Sequence, residues 1–129
     1  MRKLRVYLAG PISAGNQFEN VANGIKVGQE IWNMGAIPFI PHLSALASIA
    51  IPGGMSYENW MEYDFAWLET CDGLFRMPGV SPGADLEVAH AGSLGIPVFE
   101  LLDDLEGFIG MYRDSQRDEI GQQLQEAFA

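Results

Sequence analysis

Apolar and polar positions follow two different periods along this chain. Residues 4–10, LRVYLAG, form a short apolar run closed by glycine, the pattern of a parallel strand buried on both faces. Between 16 and 35 the apolar residues Phe18, Val21, Ile25, Ile31 and Trp32 keep helical spacing, and Gly35 suits a helix stop. Gly24 and Gly28 lie inside that helix, where they cost stability but allow close packing on a sheet. Residues 36–41, AIPFIP, read as a second strand, and Pro38 suggests a sheet edge because it cannot donate to a ladder. Residues 42–55 fit a loop, a short helix or both. Residues 56–71 predict a helix with Ser56 as N-cap, Asn59 matching the capping-box position only weakly. A third strand over 72–79 runs into a turn, a helix over 83–95 ends at Gly95, and a fourth strand covers 96–101. Residues 103–128 are helical in tendency and acidic.

Strands alternating with helices predict a parallel sheet covered on both faces. Ligands of such sheets bind beyond the C-terminal strand ends. The glycine-rich and polar stretches 10–16, 41–42 and 77–83 follow strands one, two and three, so they converge on one sheet edge although far apart in sequence. No repeat, low-complexity tract or linker divides the chain, and residues 1–129 read as a single domain.

Composition narrows the partners. The formal charge is −10, and residues 100–129 carry eight acidic and two basic side chains, or −6 of it. A field of that sign disfavours nucleic acid and anionic membrane, while a small anion can still be held locally by backbone amides at a helix start. The single cysteine, Cys71, excludes an intrachain disulfide and points to a reducing, cytoplasmic setting. No apolar run approaches the roughly 18 residues of a spanning helix, and the N-terminal MRKLRVYLAGPI reads as the first strand rather than a signal sequence. His42 and His90, with one cysteine and no ligand spacing, make no metal site and read as polar-contact or packing residues; no cofactor is expected.

Two carboxylates stand out. Glu87 has Gly83, Ala84, His90 and Ala91 as helical neighbours. Small residues around it leave room for a ligand, or equally let a helix pack on a sheet while Glu87 faces solvent near the positive end of the helix dipole. Asp64 shares a helical face with Trp60, Trp67 and Cys71, which implies partial desolvation and a raised pKa, unless it caps a loop or pairs with a basic residue. Asp72 reads as a structural turn residue. In SPG, 81–83, the Ser81 hydroxyl and the Gly83 and Ala84 amides suit an anion, or simply an N-cap and turn. AGPISAG, 9–15, brings backbone close to a ligand but lacks the dinucleotide-binding glycine pattern. The aromatic residues of 57–67 read mostly as core, with one free to stack on a base.

The set YLAGPI (7–12), D-x-x-W-L-x-x-C-D (64–72), S-P-G-A-D-L-E (81–87) and GIPV (95–98) resembles the nucleoside 2-deoxyribosyltransferase superfamily over about residues 4–100. That superfamily includes the 2'-deoxynucleoside 5'-phosphate N-hydrolases. The resemblance implies a flavodoxin-like or Rossmann-like three-layer α/β sandwich with a parallel sheet of four to five strands. It implies cleavage of an N-glycosidic bond with Glu87 as nucleophile, Asp64 as second carboxylate and Tyr7 steadying the nucleophile. Gly10, Pro11, Ile12, Ser13, His42, Ser81, Gly83 and Ala84 become the substrate-binding set. Ser81, six residues before Glu87, resembles the nucleotide hydrolases, whereas the transferases tend to have Asp there. The hydrolases' phosphate-gripping Arg has no counterpart in SAGNQ (13–17). The family also implies a homodimer or higher oligomer whose neighbour completes the site; residues 112–118, with Arg113 and Arg117, are candidates within the 103–129 segment.

The leading expectation is therefore base release from a (deoxy)nucleoside 5'-monophosphate. The alternatives are base exchange between nucleosides and a non-catalytic nucleotide-binding module, the latter disfavoured because an anion-binding site gains nothing from two carboxylates. A flavin-binding electron carrier fits less well, because the loop after the first strand lacks Ser/Thr-rich phosphate-binding character.

Overall fold

The computed structural model describes residues 2–128, and the side chains of all of these except 48, 49, 113–122 and 128. Strands β1 (Arg5–Ala9), β2 (Ile37–Phe39), β3 (Gly73–Arg76) and β4 (Val98–Phe99) form one parallel sheet in the order β2-β1-β3-β4. Pro38 thus lies in an edge strand, as its missing N–H requires. The sheet has four strands, the smaller of the numbers expected, and the fourth pairs only through Val98 and Phe99 of the apolar run 96–101.

The connections are α1 (Gln17–Asn33), a 3-10 turn at Pro41–Leu46 leading into the short α2 (Ala47–Ala50), α3 (Tyr57–Leu68) and α4 (Pro82–Ser93); α5 (Leu102–Phe128) follows the last strand. The ambiguous stretch 42–55 therefore holds both a short helix and loop. Three helix starts are capped by side-chain oxygens: Asn16 accepts from the Glu19 amide, Ser56 from Asn59 and Ser81 from Ala84. Such a cap contributes about 1 kcal/mol.

Strand alternation divides the core in two. Val6 and Leu8 point to one face with Phe75 and Met77, against Ile31 of α1 and Leu105 and Ile109 of α5. Tyr7 and Ala9 point to the other with Leu74, against Leu68 of α3 and Ala84 and Ala91 of α4. The result is three layers, helices on both faces of the sheet. At the N-terminal edge, Asp72 accepts from the Arg5 amide at 2.8 Å and from both terminal nitrogens of Arg2 at 2.5 and 2.7 Å, a structural clamp. Burial works against its charge, but these donors outweigh that and hold its pKa below the usual range.

On the helix faces, the close packing expected at Gly24 and Gly28 is present, and the core placement expected for most of the 57–67 aromatics is not. Phe18, Ile25 and Trp32 of α1 are exposed, Phe18 by 87%, and the buried face consists of Gly24, Gly28 and Ile31. A Cβ on Gly24 would fall 2.6 Å from the His42 ring, and one on Gly28 2.4 Å from the Ile40 side chain. The helix lies too close to β2 and the turn after it for larger residues on that side, so the glycines rather than the big apolar residues mark the inner face. The aromatic run of 57–67 is not mostly core: Tyr57, Tyr63 and Trp67 are exposed. No helix among the described residues is long and apolar enough to cross a membrane.

Candidate active site

The order β2-β1-β3-β4 reverses direction between β1 and β3, and that switch point is where parallel sheets open a crevice. Two turns meet there. A Cβ on Gly10 would lie 2.9 Å from the Met77 Cβ, and one on Gly79 2.7 Å from the Pro11 ring. Gly79 also has φ +118°, a conformation that favours glycine. Asn20 braces the first turn by donating to the Ile12 and Ala14 carbonyls at 3.0 and 2.6 Å. Gly10, Pro11 and Ile12 therefore sit in a held turn at the crevice, with Ser13 exposed beside them.

Glu87 is buried, between Ala84 and Ala91 on the inner face of α4. The small residues that left its direction undecided let α4 approach the sheet and bring the carboxylate onto Tyr7. The Tyr7 hydroxyl donates to Glu87 Oε2. Asp64 reaches the same surroundings from α3, is 9% exposed, and its buried Oδ1 has no hydrogen-bond partner among the described residues. Burial raises the Asp64 pKa to about 6. Burial raises Glu87 further, to about 8, with the Asp64 charge adding to the rise while the Tyr7 hydroxyl and the Arg76 charge oppose it. Burial and the charges of Glu87 and Asp64 push the Tyr7 pKa up, so the phenol remains a donor at ordinary pH. Between these two values the pair as a whole holds one proton and one negative charge.

Beside the carboxylates runs a ladder of aromatic rings. Phe39 stacks on Tyr7 at 5.4 Å between centroids and on Trp67 at 5.7 Å, each pair inclined by 21°. Phe39 also lines an open cleft of about 340 Å³ with Pro38, Ile40, Leu43, Ser44 and Tyr63. The cleft is thus one ring away from the Tyr7–Glu87 pair. Phe39 and Tyr63 were not singled out from sequence. The Tyr7–Phe39 register, which puts both rings on one sheet face, exists only once β1 and β2 pair.

The other candidates separate. Ser81 caps α4, its Oγ accepting from the Ala84 amide at 3.1 Å. The Ala84 amide is consequently engaged, contrary to its expected role as a free anion donor, and Pro82 has no N–H. What remains for an anion is the Ser81 hydroxyl proton and the Gly83 amide. His42 is fully buried against Gly24, and neither ring nitrogen has a hydrogen-bond partner among the described residues. Burial lowers its pKa and keeps it neutral, the Pro11 backbone acting weakly the other way. His90 turns away, stacked on Phe65 at 4.3 Å and bonded to Glu69 at 2.9 Å. Burial pushes the Cys71 thiol up to about 11, which makes it a poor nucleophile. Among the described residues no group of three or more His, Cys, Asp or Glu side chains is placed to hold a metal ion. Arg113 and Arg117 lie outside the residues whose side chains are described.

A parallel α/β sandwich with its polar groups at the switch point is the class of protein defined here. The chain belongs to the family described as "Domain of unknown function (DUF4406)", matched over residues 4–100. A search of the curated proteins returns no match. Among solved structures the chain resembles a 2-deoxyribosyltransferase from Bacillus psychrosaccharolyticus, with 22% identity, a TM-score of 0.54, and coverage of 73% of this chain and 69% of that one. It also resembles the 2-desoxiribosyltransferase of Leishmania mexicana, with 19% identity, a TM-score of 0.53, and coverage of 74% of this chain and 61% of that one, less than two thirds of its length. At this identity the likeness is one of fold.

Proposed function

We propose that the protein is an N-glycosidase that releases the base from a (deoxy)nucleoside 5'-monophosphate. The observation that carries this reading is the buried Glu87, held by the Tyr7 hydroxyl, beside a buried Asp64 with an oxygen unpartnered among the described residues, at the open edge of the sheet. A buried carboxylate with no cationic partner is costly, and two near one another more so. Such an arrangement fits a site that awaits a substrate with developing positive charge.

Breaking the C1'–N bond sends the electron pair to the base and builds oxocarbenium character on the sugar. Ionised Glu87 bonds to C1' as the bond to the base breaks, and protonated Asp64 gives its proton to the departing nitrogen. Water then adds at C1', its proton passes to Asp64, and the C1'–Glu87 bond breaks to restore the site. The products are free base and (deoxy)ribose 5-phosphate. The reactive distribution has the proton on Asp64 and the charge on Glu87, the less populated of the two arrangements of a singly protonated pair, since burial raises Glu87 above Asp64. The cleft bounded by Phe39 and Tyr63 suits a flat base, and the Ser81 hydroxyl with the Gly83 amide suits the 5'-phosphate.

The two fold relatives are deoxyribosyltransferases, which favours base exchange as the second reading: a second base replaces water at C1'. Incubation with ribo- and deoxynucleoside 5'-monophosphates and the matching nucleosides, with free base resolved by chromatography, separates the readings. Base release from monophosphates alone, lost in Glu87→Gln, supports the hydrolase. Release or exchange from unphosphorylated nucleosides moves the protein to transfer chemistry. Tight binding without release makes it a nucleotide-binding module.

A further inference from the structure

We propose that the outward side of α1 is a self-association surface. Two copies of this chain pack their α1 helices antiparallel about a twofold axis at Ala22, and each copy brings Trp32, with Lys3 over its ring, to the exposed 13–15 turn of the other. This dimer stands on the packing and charge of α1 and does not depend on the reaction proposed above.

α1 has two faces. Gly24, Gly28 and Ile31 are buried, the glycines tight against His42 and Ile40. Phe18, Ala22, Ile25, Gln29 and Trp32 are all exposed, and they follow one another in alternating steps of four and three residues. That spacing is the seam of a helix that packs on a second helix. Phe18 is 87% exposed and Trp32 53%, and large aromatic side chains in such a place are the ones that anchor interfaces. Val27 and Met34, on a different side of α1, pack onto the cluster that holds Leu105 and Ile109 of α5.

Charge selects the occupant and the register. The charged side chains of α1 are Glu19, Glu30 and Lys26, and with Lys3 beside Trp32 they cancel, on a chain whose formal charge is −10. Two copies of an acidic protein therefore repel least across this face. Glu19 and Lys26 lie roughly 10 Å apart along one helix and form no ion pair among the described residues. A twofold axis at Ala22 sets each Glu19 opposite the partner's Lys26 and each Phe18 opposite the partner's Ile25. Ala22, the smallest residue of the seam, then lies at the crossing, where the helices approach most closely. An axis at Ile25 would put a bulkier residue there and separate the opposite charges by roughly 7 Å along the axis. In the Ala22 register Trp32 extends about 7 Å past the partner's Gln17, the first residue of that helix, toward the turn that leads into it. Lys3, whose Nζ lies 5.4 Å from the Trp32 ring centroid, goes with it.

The test is the mass in solution, by sedimentation equilibrium of the full chain. The parent protein should have twice the mass of Ile25→Asp, which sets a charge in the seam; circular dichroism checks that this exposed change keeps the fold. Glu19→Lys should raise the dissociation constant about tenfold, and combining it with Lys26→Glu should return it to near the parent value. On mild oxidation Ala22→Cys should form a disulfide between copies and Gln29→Cys should not, the native Cys71 being buried. A short bifunctional thiol reagent should join Ser13→Cys chains to Trp32→Cys chains in a mixture, in preference to joining either to itself. Equal masses for the parent and Ile25→Asp overturn the proposal, as does a charge exchange that fails to restore association; the exchange alone decides if Ile25→Asp does not fold. A disulfide through Gln29→Cys, or self-joined Trp32→Cys in place of the mixed product, overturns the register and with it the placing of Trp32 at the partner's turn.

Discussion

The two faces of the sheet are built from the same strands and differ in almost every physical property. On the face under α1 and α5, Val6, Leu8, Phe75 and Met77 meet Ile31, Leu105 and Ile109 with no buried charge among them. On the face under α3 and α4, β1 contributes Tyr7 and Ala9, the helices contribute Ala84 and Ala91, and the space left by these alanines holds Asp64 and Glu87. Large apolar side chains on one side stabilise the sheet, at roughly 1.5–3 kcal/mol for each that is fully buried. On the other, two carboxylates are desolvated at a cost. One face supplies the stability that lets the other hold groups in an unfavourable state, the division expected where a site is set on a rigid scaffold.

The sharpest way to break that division is Glu87→Gln. Base release should fall by about a thousandfold or more, since the nucleophile is lost, while nucleotide binding, followed by calorimetry, persists. The same variant should be more stable than the parent at pH 8, because an amide pays no ionisation cost in the same cavity. Retained turnover would remove Glu87 from the chemistry.

Leu8→Ala strikes the opposite face. It should cost about 2–5 kcal/mol by chemical denaturation, with the activity of the remaining folded molecules unchanged. A loss of specific activity equal to that of a site variant would show that the two faces are not independent.

Tyr7→Phe lies where the faces meet in one strand. Removing the hydroxyl leaves Glu87 without its donor, so its midpoint should rise and kcat/KM fall about ten- to a hundredfold, with Phe39 stacking kept. An unchanged pH profile would mean that the Tyr7 hydroxyl does not help to ionise Glu87.

The same division shows in stability against pH. Both carboxylates titrate higher in the folded chain than the ordinary values of 3.8 for Asp and 4.5 for Glu, at about 6 for Asp64 and about 8 for Glu87. The native state therefore holds more protons than the unfolded chain between those limits. This contribution is fully present below about pH 4 and is lost as pH rises through 8. Asp72 has the opposite sign, its stabilisation present above the ordinary range and lost in acid. Denaturation midpoints from pH 5 to 9 should decline in the parent and decline less in Glu87→Gln; equal slopes would place the Glu87 charge in solvent.

Much of the frame was legible in the chain. Ser56 and Ser81 marked helix starts, Pro38 marked an edge strand, and the glycine-rich turns after the first and third strands marked the sheet edge where the crevice opens. Those signals are local: a cap, a missing N–H or a strand run acts on its own few residues. Helix faces were less legible. The helical spacing of Phe18, Ile25 and Trp32 says nothing of which way they face, and the fold turns them outward because α1 approaches Ile40 and His42 too closely for anything but Gly28 and Gly24. The aromatic residues of α3 misled, Tyr63 lining the cleft and exposed Trp67 stacking on Phe39 instead of filling the core.

By itself the sequence determined the alternation of elements, the parallel sheet and the pair of carboxylates worth watching, since these follow from period, capping and residue type. Only the tertiary structure decided that Glu87 turns inward onto Tyr7, that Phe39 joins them from a strand more than thirty residues away, and that Arg76 stands on the same face. The reason is physical. Whether a carboxylate keeps its charge depends on the water, dipoles and cations around it, and strand pairing and helix packing bring those neighbours together from distant parts of the chain.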